Sequence, residues 1–206
     1  MNKISFYDNN IGWAIFWSSY WFFATIMTIY SHNKGYCQVK ELPLVVLVLI
    51  RNMFVTLIIT NMLIILPIGL LYFLPIWMKY IFCLLSADLF FFYSHYMLHH
   101  RWFYKSIHKM HHEFIDPYPL VAIYCTTTEL IVSNIIPVVI GPLLTVMDGI
   151  HLYIWLLIIT FDITLAHSGL LNIRIYNDAH DKHHKYLDCN FGILNHFDWL
   201  HGTLYA

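Results

Sequence analysis

An all-α fold is predicted: an integral membrane bundle of about four to five membrane helices with a cytosolic, histidine-rich helical cap. Two observations predict it. First, 59% of the 206 residues are hydrophobic and only 11% are charged, whereas soluble domains carry about 25% charged residues. Second, apolar tracts of about 20 residues, the length that crosses a bilayer, alternate with short histidine-rich segments. A formal net charge of −1 gives no basic surface for nucleic acid.

Three apolar tracts occupy the first half of the chain. Residues 12–31 predict a span rich in aromatic side chains. Residues 43–74 are too long for one straight span and too short for two. We therefore expect a span followed by a turn at Pro67–Pro75, with a shallow re-entrant hairpin as the alternative. Residues 76–98 predict a further span that runs directly into the first histidine cluster.

The second half begins with a long stretch, 119–167, that contains neither Lys nor Arg. Pro137, Gly141 and Pro142 interrupt it near the middle, which predicts two membrane helices joined there. Both ends of such a hairpin emerge on the same side of the membrane. Residues 168–206 are polar and rich in histidine, and predict no further span.

The basic residues predict the orientation. Lys3 and Lys79 fall on one side of this topology, and eight basic residues fall on the histidine side: Lys34, Lys40, Arg101, Lys105, Lys109, Arg174, Lys182 and Lys185. By the positive-inside rule the histidine side faces the cytosol. The N-terminus lacks the pattern of a cleaved signal peptide. We expect an integral membrane protein, in the endoplasmic reticulum if the source is eukaryotic.

Histidine is the outlier of the composition, with 14 copies. In SHYMLHH, His95 and His99 are four residues apart and share one helix face. HKMHH and HDKHH have identical spacing, so that one helical turn presents three rings in each. These two clusters contribute His108, His111, His112, His180, His183 and His184. Eight imidazoles are too many for one metal ion and suit two.

A few polar residues outside these clusters are further candidates for metal ligands or for partners of the ligands. His167, at the end of the last span, is a plausible ninth ligand, whereas His100 points away from His99. We expect no ligand role for His32, His151, His196 and His201. Three acids inside spans are candidates for fixing ring tautomers from a second layer: Asp88, Glu129 and Asp162. The four cysteines are scattered and predicted to be reduced and non-ligating.

Two classes of function remain open on this pattern, an enzyme and a histidine-rich membrane metal transporter or metal-binding protein without catalysis. A transporter is expected to place its ligands near the middle of the membrane at broken helices. Here the ligands cluster at the ends of spans, which favours the enzyme. We find no glycine motif for a flavin or nicotinamide cofactor.

The order HxxxH, HxxHH, HSG, HxxHH resembles the fatty acid hydroxylase / sterol desaturase superfamily, most closely sterol C-4 methyl oxidases and cholesterol 25-hydroxylase-type enzymes. IHKMHHEF (107–114), SNIIPVVIGPLL (133–144), AHSG (166–169) and FDWLHGT (197–203) follow the order of the family's blocks. Two departures affect the substrate class. CTTTE (125–129) stands where relatives often have AHPxE, and His201 stands where an apolar residue is usual.

The apolar tracts predict membrane helices in 1–75, and the resemblance implies a fatty acid hydroxylase-like domain in 76–206, the two forming one structural unit. The resemblance also implies an oxygen-dependent di-iron lipid hydroxylase or desaturase with two non-haem irons, O2 as co-substrate and a sterol or fatty-acyl substrate. Electrons would come from cytochrome b5 or a reductase. The family's histidine positions carry over as catalytic metal ligands to His95, His99, His108, His111, His112, His180, His183 and His184, with His167 matching the histidine of HSG.

Overall fold

The computed structural model describes residues 6–62, 69–147, 149–170 and 177–205, and these ranges contain helices and turns but no strand. The long helices are α1 (Phe6–Asn33), α2 (Leu42–Met62), α3 (Ile76–Leu98), α4 (Thr127–Thr145) and α5 (Gly149–Ala166). Two short helices follow, α6 (Asn177–Tyr186) and α7 (His196–His201). A π-helical turn (Tyr104–His108) and two 3₁₀ turns (His111–Glu113 and Pro119–Val121) connect α3 to α4.

Four helices, α2 to α5, are long and apolar enough to cross a membrane. This confirms the predicted helical membrane bundle. The tract 12–31 lies within a helix, α1, but α1 is not one of these four. Its many Trp, Tyr and Ser residues lower its mean hydropathy, although it packs along α5 as part of the bundle.

The connection from α2 to α3 contains the turn predicted after the second tract. Pro67 lies outside the described residues, as do Lys3 and Arg174. From Gly69 onward the chain binds the end of α4: Gly69 donates its backbone N–H to Leu143 (3.3 Å) and Leu71 donates to Leu144 (2.8 Å). The turn therefore lies at the end of the bundle remote from the three histidine clusters.

The hairpin predicted over 119–167 is present, but its joint is not where the sequence predicted it. Pro137 and Pro142 lie inside α4, and the chain turns at Val146, which has φ 46°. Pro142 leaves the carbonyl of Val138 without its helical donor, and the indole N–H of Trp155 binds that carbonyl instead (2.9 Å). A neighbouring helix thus satisfies the carbonyl that the proline frees.

Close packing of α3 on α4 depends on Gly141. A Cβ at this position would lie 2.7 Å from Cys83 Cα, a distance that real side chains do not adopt. The absence of a side chain lets the two backbones touch, as small residues do in membrane helix pairs. The pairs α1–α5 and α3–α4 form the body of the bundle. The C-terminal ends of α3 and α5 lie beside α6, where the ring of His95 contacts that of His183 and the ring of His167 contacts that of His180.

Candidate metal centre

Two groups of histidines meet at that end of the bundle. The five-histidine group is formed by His95, His99, His108, His112 and His183, and the four-histidine group by His111, His167, His180 and His184. Within each group the facing ligand atoms all lie within 4.8 Å of one another. The structure therefore brings together all nine residues that the sequence nominated as ligands.

Nε2 atoms face each other within the five-histidine group. His108 Nε2 lies 3.1 Å from His95 Nε2 and 2.9 Å from His112 Nε2. His99 Nε2 lies 3.2 Å from His112 Nε2 and 3.1 Å from His183 Nε2. The five rings thus converge from three separate parts of the chain on one point.

In the four-histidine group, too, Nε2 atoms face each other. His180 Nε2 lies 3.0 Å from His167 Nε2 and 3.2 Å from His184 Nε2. The ring of His111 is 4.7 Å from that of His184, centroid to centroid. The two groups adjoin each other, since the rings of His112 and His184 are only 4.6 Å apart.

Backbone carbonyls fix the tautomers of four rings. Nδ1 of His95 lies 2.8 Å from the Phe191 oxygen, and Nδ1 of His183 lies 2.7 Å from the Cys189 oxygen. The Phe114 oxygen faces His184 Nδ1 at 3.0 Å, and the Ile163 oxygen faces His167 Nδ1 at 2.9 Å. A carbonyl only accepts, so the proton of each neutral ring is on Nδ1. Each Nε2 then directs a lone pair into the centre, where a cation is the natural partner.

The Nε2 distances indicate which metal geometry the five-histidine group fits. Ring nitrogens at right angles around a metal, each about 2.1 Å from it, are about 3.0 Å apart, whereas tetrahedral ligands are about 3.4 Å apart. The closest Nε2 pairs lie between 2.9 and 3.2 Å apart. The group also offers five nitrogens, one more than a tetrahedral zinc site takes. It therefore fits a metal with more than four ligands.

Burial keeps these rings neutral. It lowers the pKa of His111 from its ordinary value of 6.5 to about 3, helped by the nearby His95. It also lowers the pKa of His167 to about 3 and that of His99 to about 2. Burial lowers the pKa of five more rings, with neighbouring imidazoles adding to it: His108, His112, His180, His183 and His184. Neutral imidazole is the form that binds a metal.

Glu129, one of the three candidate acids, touches a histidine of the groups directly. Glu129, in the first turn of α4, places Oε1 2.9 Å from His108 Nδ1, and both side chains are buried. Carboxylates that contact the outer nitrogen of a ligating imidazole orient the ring and raise its basicity. The sequence predicted a role for Glu129 from its position inside a span, and the structure shows that its partner is the ring of His108.

Asp88 acts on the backbone rather than on a ring. Its Oδ1 accepts the N–H groups of Ile193 and Leu194, each at 2.9 Å. Asp198, which the sequence did not nominate, accepts the N–H groups of Phe191 and Gly192, each at 2.7 Å. Two fully buried carboxylates thus hold four consecutive N–H groups of residues 191–194.

The loop held in this way serves the centre, because its Phe191 carbonyl faces His95. Gly192 is required where the acids converge: a Cβ there would lie 2.9 Å from Asp198 Oδ2 and 3.2 Å from Asp88 Oδ1. The motif FDWLHGT contained Asp198, but periodicity could not show that it bends back onto 191–192. The expectation that Asp88 fixes a ring tautomer is therefore replaced by an indirect role through this loop.

A cavity of about 700 Å³ leads from the histidines into the bundle. Its polar end includes Glu129, the half-buried Asp162 and five rings: His95, His108, His111, His167 and His180. The remainder is mostly apolar, with Trp13 and Phe16 of α1 on one wall. It extends to Leu143 and Met147 at the opposite end of the bundle.

The remaining histidines of the described residues lie outside both groups. His100 is exposed on the turn after α3, and His32 Nδ1 lies 3.3 Å from the Cys37 carbonyl. His151 contacts Tyr80 at the far end of the bundle, while His196 and His201 belong to α7. Neither group of described residues contains a cysteine, and all four cysteines are free and buried.

Comparison with known proteins decides the family. The family model described as fatty acid hydroxylase matches residues 80–203, a region that holds all nine clustered histidines. The chain belongs to the fatty acid hydroxylase family. This confirms the resemblance inferred from the order of the histidine motifs. No solved structure gives a significant match.

The chain is similar in sequence to several curated proteins, which differ in the activity that their names state. It is 37% identical over 120 residues to fatty acid hydroxylase domain-containing protein 2 of Homo sapiens, covering 58% of this chain and 36% of that protein. It is 31% identical over 147 residues to methylsterol monooxygenase 2-2 of Arabidopsis thaliana (63% and 55%). It is 30% identical over 136 residues to very-long-chain aldehyde decarbonylase GL1-11 of Oryza sativa (60% and 51%). The match thus spans between about a third and about half of these relatives.

Proposed function

We propose that this member of the fatty acid hydroxylase family is a membrane-bound di-iron oxidase that hydroxylates a C–H bond of a sterol or fatty-acyl lipid. One observation carries the proposal: groups of five and four imidazoles lie at the polar end of a mostly apolar cavity within the bundle. The eight cluster histidines and His167 would hold two irons. The names of relatives that act on methylsterols and long-chain aldehydes support a lipid substrate.

The residues of this chain bind the lipid, orient the histidine rings and shield the site from water. The apolar walls built by α1, α4 and α5 accept a lipid chain and exclude water. Rings of both groups line the cavity, His111, His167 and His180 from the four-histidine group and His95 and His108 from the five-histidine group, so a bound lipid would lie beside both groups. Glu129 keeps the Nδ1 proton of His108 in place through their 2.9 Å contact. Bound iron would supply the reduction of O2 and the cleavage of an unactivated C–H bond.

The balanced reaction needs an external reductant. One lipid C–H, one O2, two electrons and two protons give one C–OH and one water. The chain offers no flavin or nicotinamide motif, so we propose that cytochrome b5 or a reductase delivers the electrons. We further propose that the histidine end faces the cytosol, where such donors are found, and that the protein resides in the endoplasmic reticulum.

The N-terminal helices belong to the same functional unit in this proposal. Trp13 and Phe16 of α1 and Thr56 and Thr60 of α2 line the cavity together with residues of the region 76–206. The indole of Trp17 donates to Thr56 Oγ1 at 2.8 Å and ties α1 to α2. Removal of residues 1–75 would therefore open the cavity.

The test is lipid profiling of cells with and without the full chain under ¹⁸O2. We expect a lipid product that carries one ¹⁸O atom and depends on the protein. His183→Ala should abolish the product, because it removes a nitrogen from the five-histidine group. His151→Ala, a change at the far end of the bundle, is the matched control and should retain it. Absence of any labelled lipid, or a normal product level with His183→Ala, would contradict the proposal.

A further inference from the structure

The C-terminal segment, residues 189–205, differs in charge from the helix before it. The helix α6 carries Asp181, Lys182 and Lys185, as expected of a surface in water. From Cys189 to Tyr205 the sequence contains no Lys, Arg or Glu. Its single acid, Asp198, is fully buried. The outer surface of this segment therefore bears no formal charge, apart from any protonated histidine.

The same segment packs beside a membrane-spanning part of α3. His196 Nδ1 lies 3.7 Å from Asp88 Oδ2, and the ring of Phe197 is 5.7 Å from that of Phe92. His201 Nε2 lies 3.0 Å from Tyr93 Oη. Because α3 ends at Leu98 and a helix rises about 1.5 Å per residue, these contacts lie about 8 to 15 Å below its end. The shallower part of this range overlaps the burial of about 5–10 Å that is typical of interfacial helices.

The outward face of α7 presents two large apolar side chains beside the exposed His196 and His201, and it continues the exposed apolar surface of α3. Trp199 is 74% exposed and Leu200 is 64% exposed. On the adjoining turns of α3, Tyr93 is 46% exposed and Met97 is 42% exposed. Exposed apolar side chains on a spanning helix are covered by acyl chains. The surface on α7 is contiguous with this face through the contact between His201 and Tyr93.

We propose that residues 189–205 form an interfacial segment that inserts into the leaflet on the histidine side, with Trp199 and Leu200 in contact with lipid. Tryptophan suits the boundary between headgroups and acyl chains. The opposite face of α7 carries Asp198, which holds the backbone of Phe191 and Gly192. Lipid contact on one face of α7 thus supports, on the other face, the loop that positions His95. The proposal does not depend on the proposed reaction.

The first experiment places a spin label at Leu200→Cys in a variant without the four native cysteines, reconstituted in phosphatidylcholine nanodiscs. Power saturation then compares access of O2, which partitions into lipid, with access of a water-soluble nickel chelate. We expect O2 to dominate at position 200. Lys185→Cys, on the exposed end of α6, is the matched control and should respond mainly to nickel. Equal nickel access at both positions would overturn the proposal, as would a label at 200 that neither reagent reaches, which indicates a protein partner.

The second experiment keeps all native cysteines, so it remains decisive if the cysteine-free variant does not fold. Lipids brominated near the carbonyl quench tryptophan at the interface. Quenching of the wild-type protein should decrease in Trp199→Phe, because this exposed indole is removed. Trp21→Phe, a change at a half-buried position midway along α1, should leave the quenched fraction almost unchanged. Identical quenching of wild type and Trp199→Phe would overturn the proposal.

Discussion

At the scale of single residues, the centre depends on which nitrogen of each ring carries the proton. The sequence nominated all nine histidines, because HxxxH and HxxHH spacing places rings on one helical turn. It could not nominate their partners, since carbonyls such as those of Phe191 and Cys189 have no signature in a residue pattern. Only the fold brings residues 189–194 back against α3. Asp198 was missed for the same reason.

The contact between Glu129 and His108 gives the first prediction. Glu129→Gln preserves the size of the side chain but removes the charge that orients the ring and raises its basicity. We expect the five-histidine group to bind its metal about 10- to 100-fold more weakly, the usual effect of losing such a partner. Anaerobic ferrous iron titration measures this. Asp116→Asn, which changes an exposed carboxylate, is the control, and unchanged affinity in Glu129→Gln would refute the role.

At the level of single elements, α4 differs from the prediction, because the helix continues through the residues at which a break was predicted. Two prolines and a glycine within six residues predict a break, because proline removes a donor and clashes with the preceding turn. The helix continues because a π-helical stretch at Leu130–Ile135 precedes Pro137 and Trp155 binds the carbonyl freed by Pro142. The second compensation depends on a contact between two helices. The hairpin itself, which depends only on length and apolarity, was predicted correctly.

Gly141 provides a test of the packing between α3 and α4. Gly141→Ala would place a Cβ 2.7 Å from Cys83 Cα and force the two backbones apart. We expect a loss of about 1–3 kcal/mol in unfolding free energy, typical of overpacking. Gly12→Ala is the matched control, because its Cβ would meet only an ordinary contact of 3.5 Å. Thermal unfolding in detergent compares the two, and equal stability of both variants would argue against the close helix contact.

At the scale of the whole molecule, three spans end on one side and bring distant histidines together. The sequence predicted this convergence from the single-sided ends of its spans. It did not predict the cavity, since the walls come from α1, α2, α4 and α5 and no short pattern encodes their spacing. The sequence analysis also predicted a span over residues 12–31. In the structure α1 is not among the helices that are apolar enough to cross a membrane, because its Trp, Tyr and Ser residues lower its mean hydropathy.

The buried rings predict how stability depends on pH. Burial lowers the pKa of His111 and His167 to about 3 from an ordinary value of 6.5. Below pH 6.5 the unfolded chain therefore binds protons that the folded, metal-free protein does not. Each such ring removes about 1.4 kcal/mol of stability per pH unit between 6.5 and its folded pKa. Chelator-treated protein should have a melting temperature that is stable above pH 7 and drops steeply toward pH 5; a flat profile would contradict neutral burial.

We propose that the two histidine groups hold one iron each, and the metal content of the purified protein checks this proposal. Protein purified anaerobically with ferrous iron should contain about two irons per chain by elemental analysis, one for each group of a two-metal site. His183→Ala and His180→Ala each remove a nitrogen from a different group, and each should reduce the content toward one. His32→Ala should retain both. A wild-type protein with one metal or none, or both group variants with a full complement, would contradict the account.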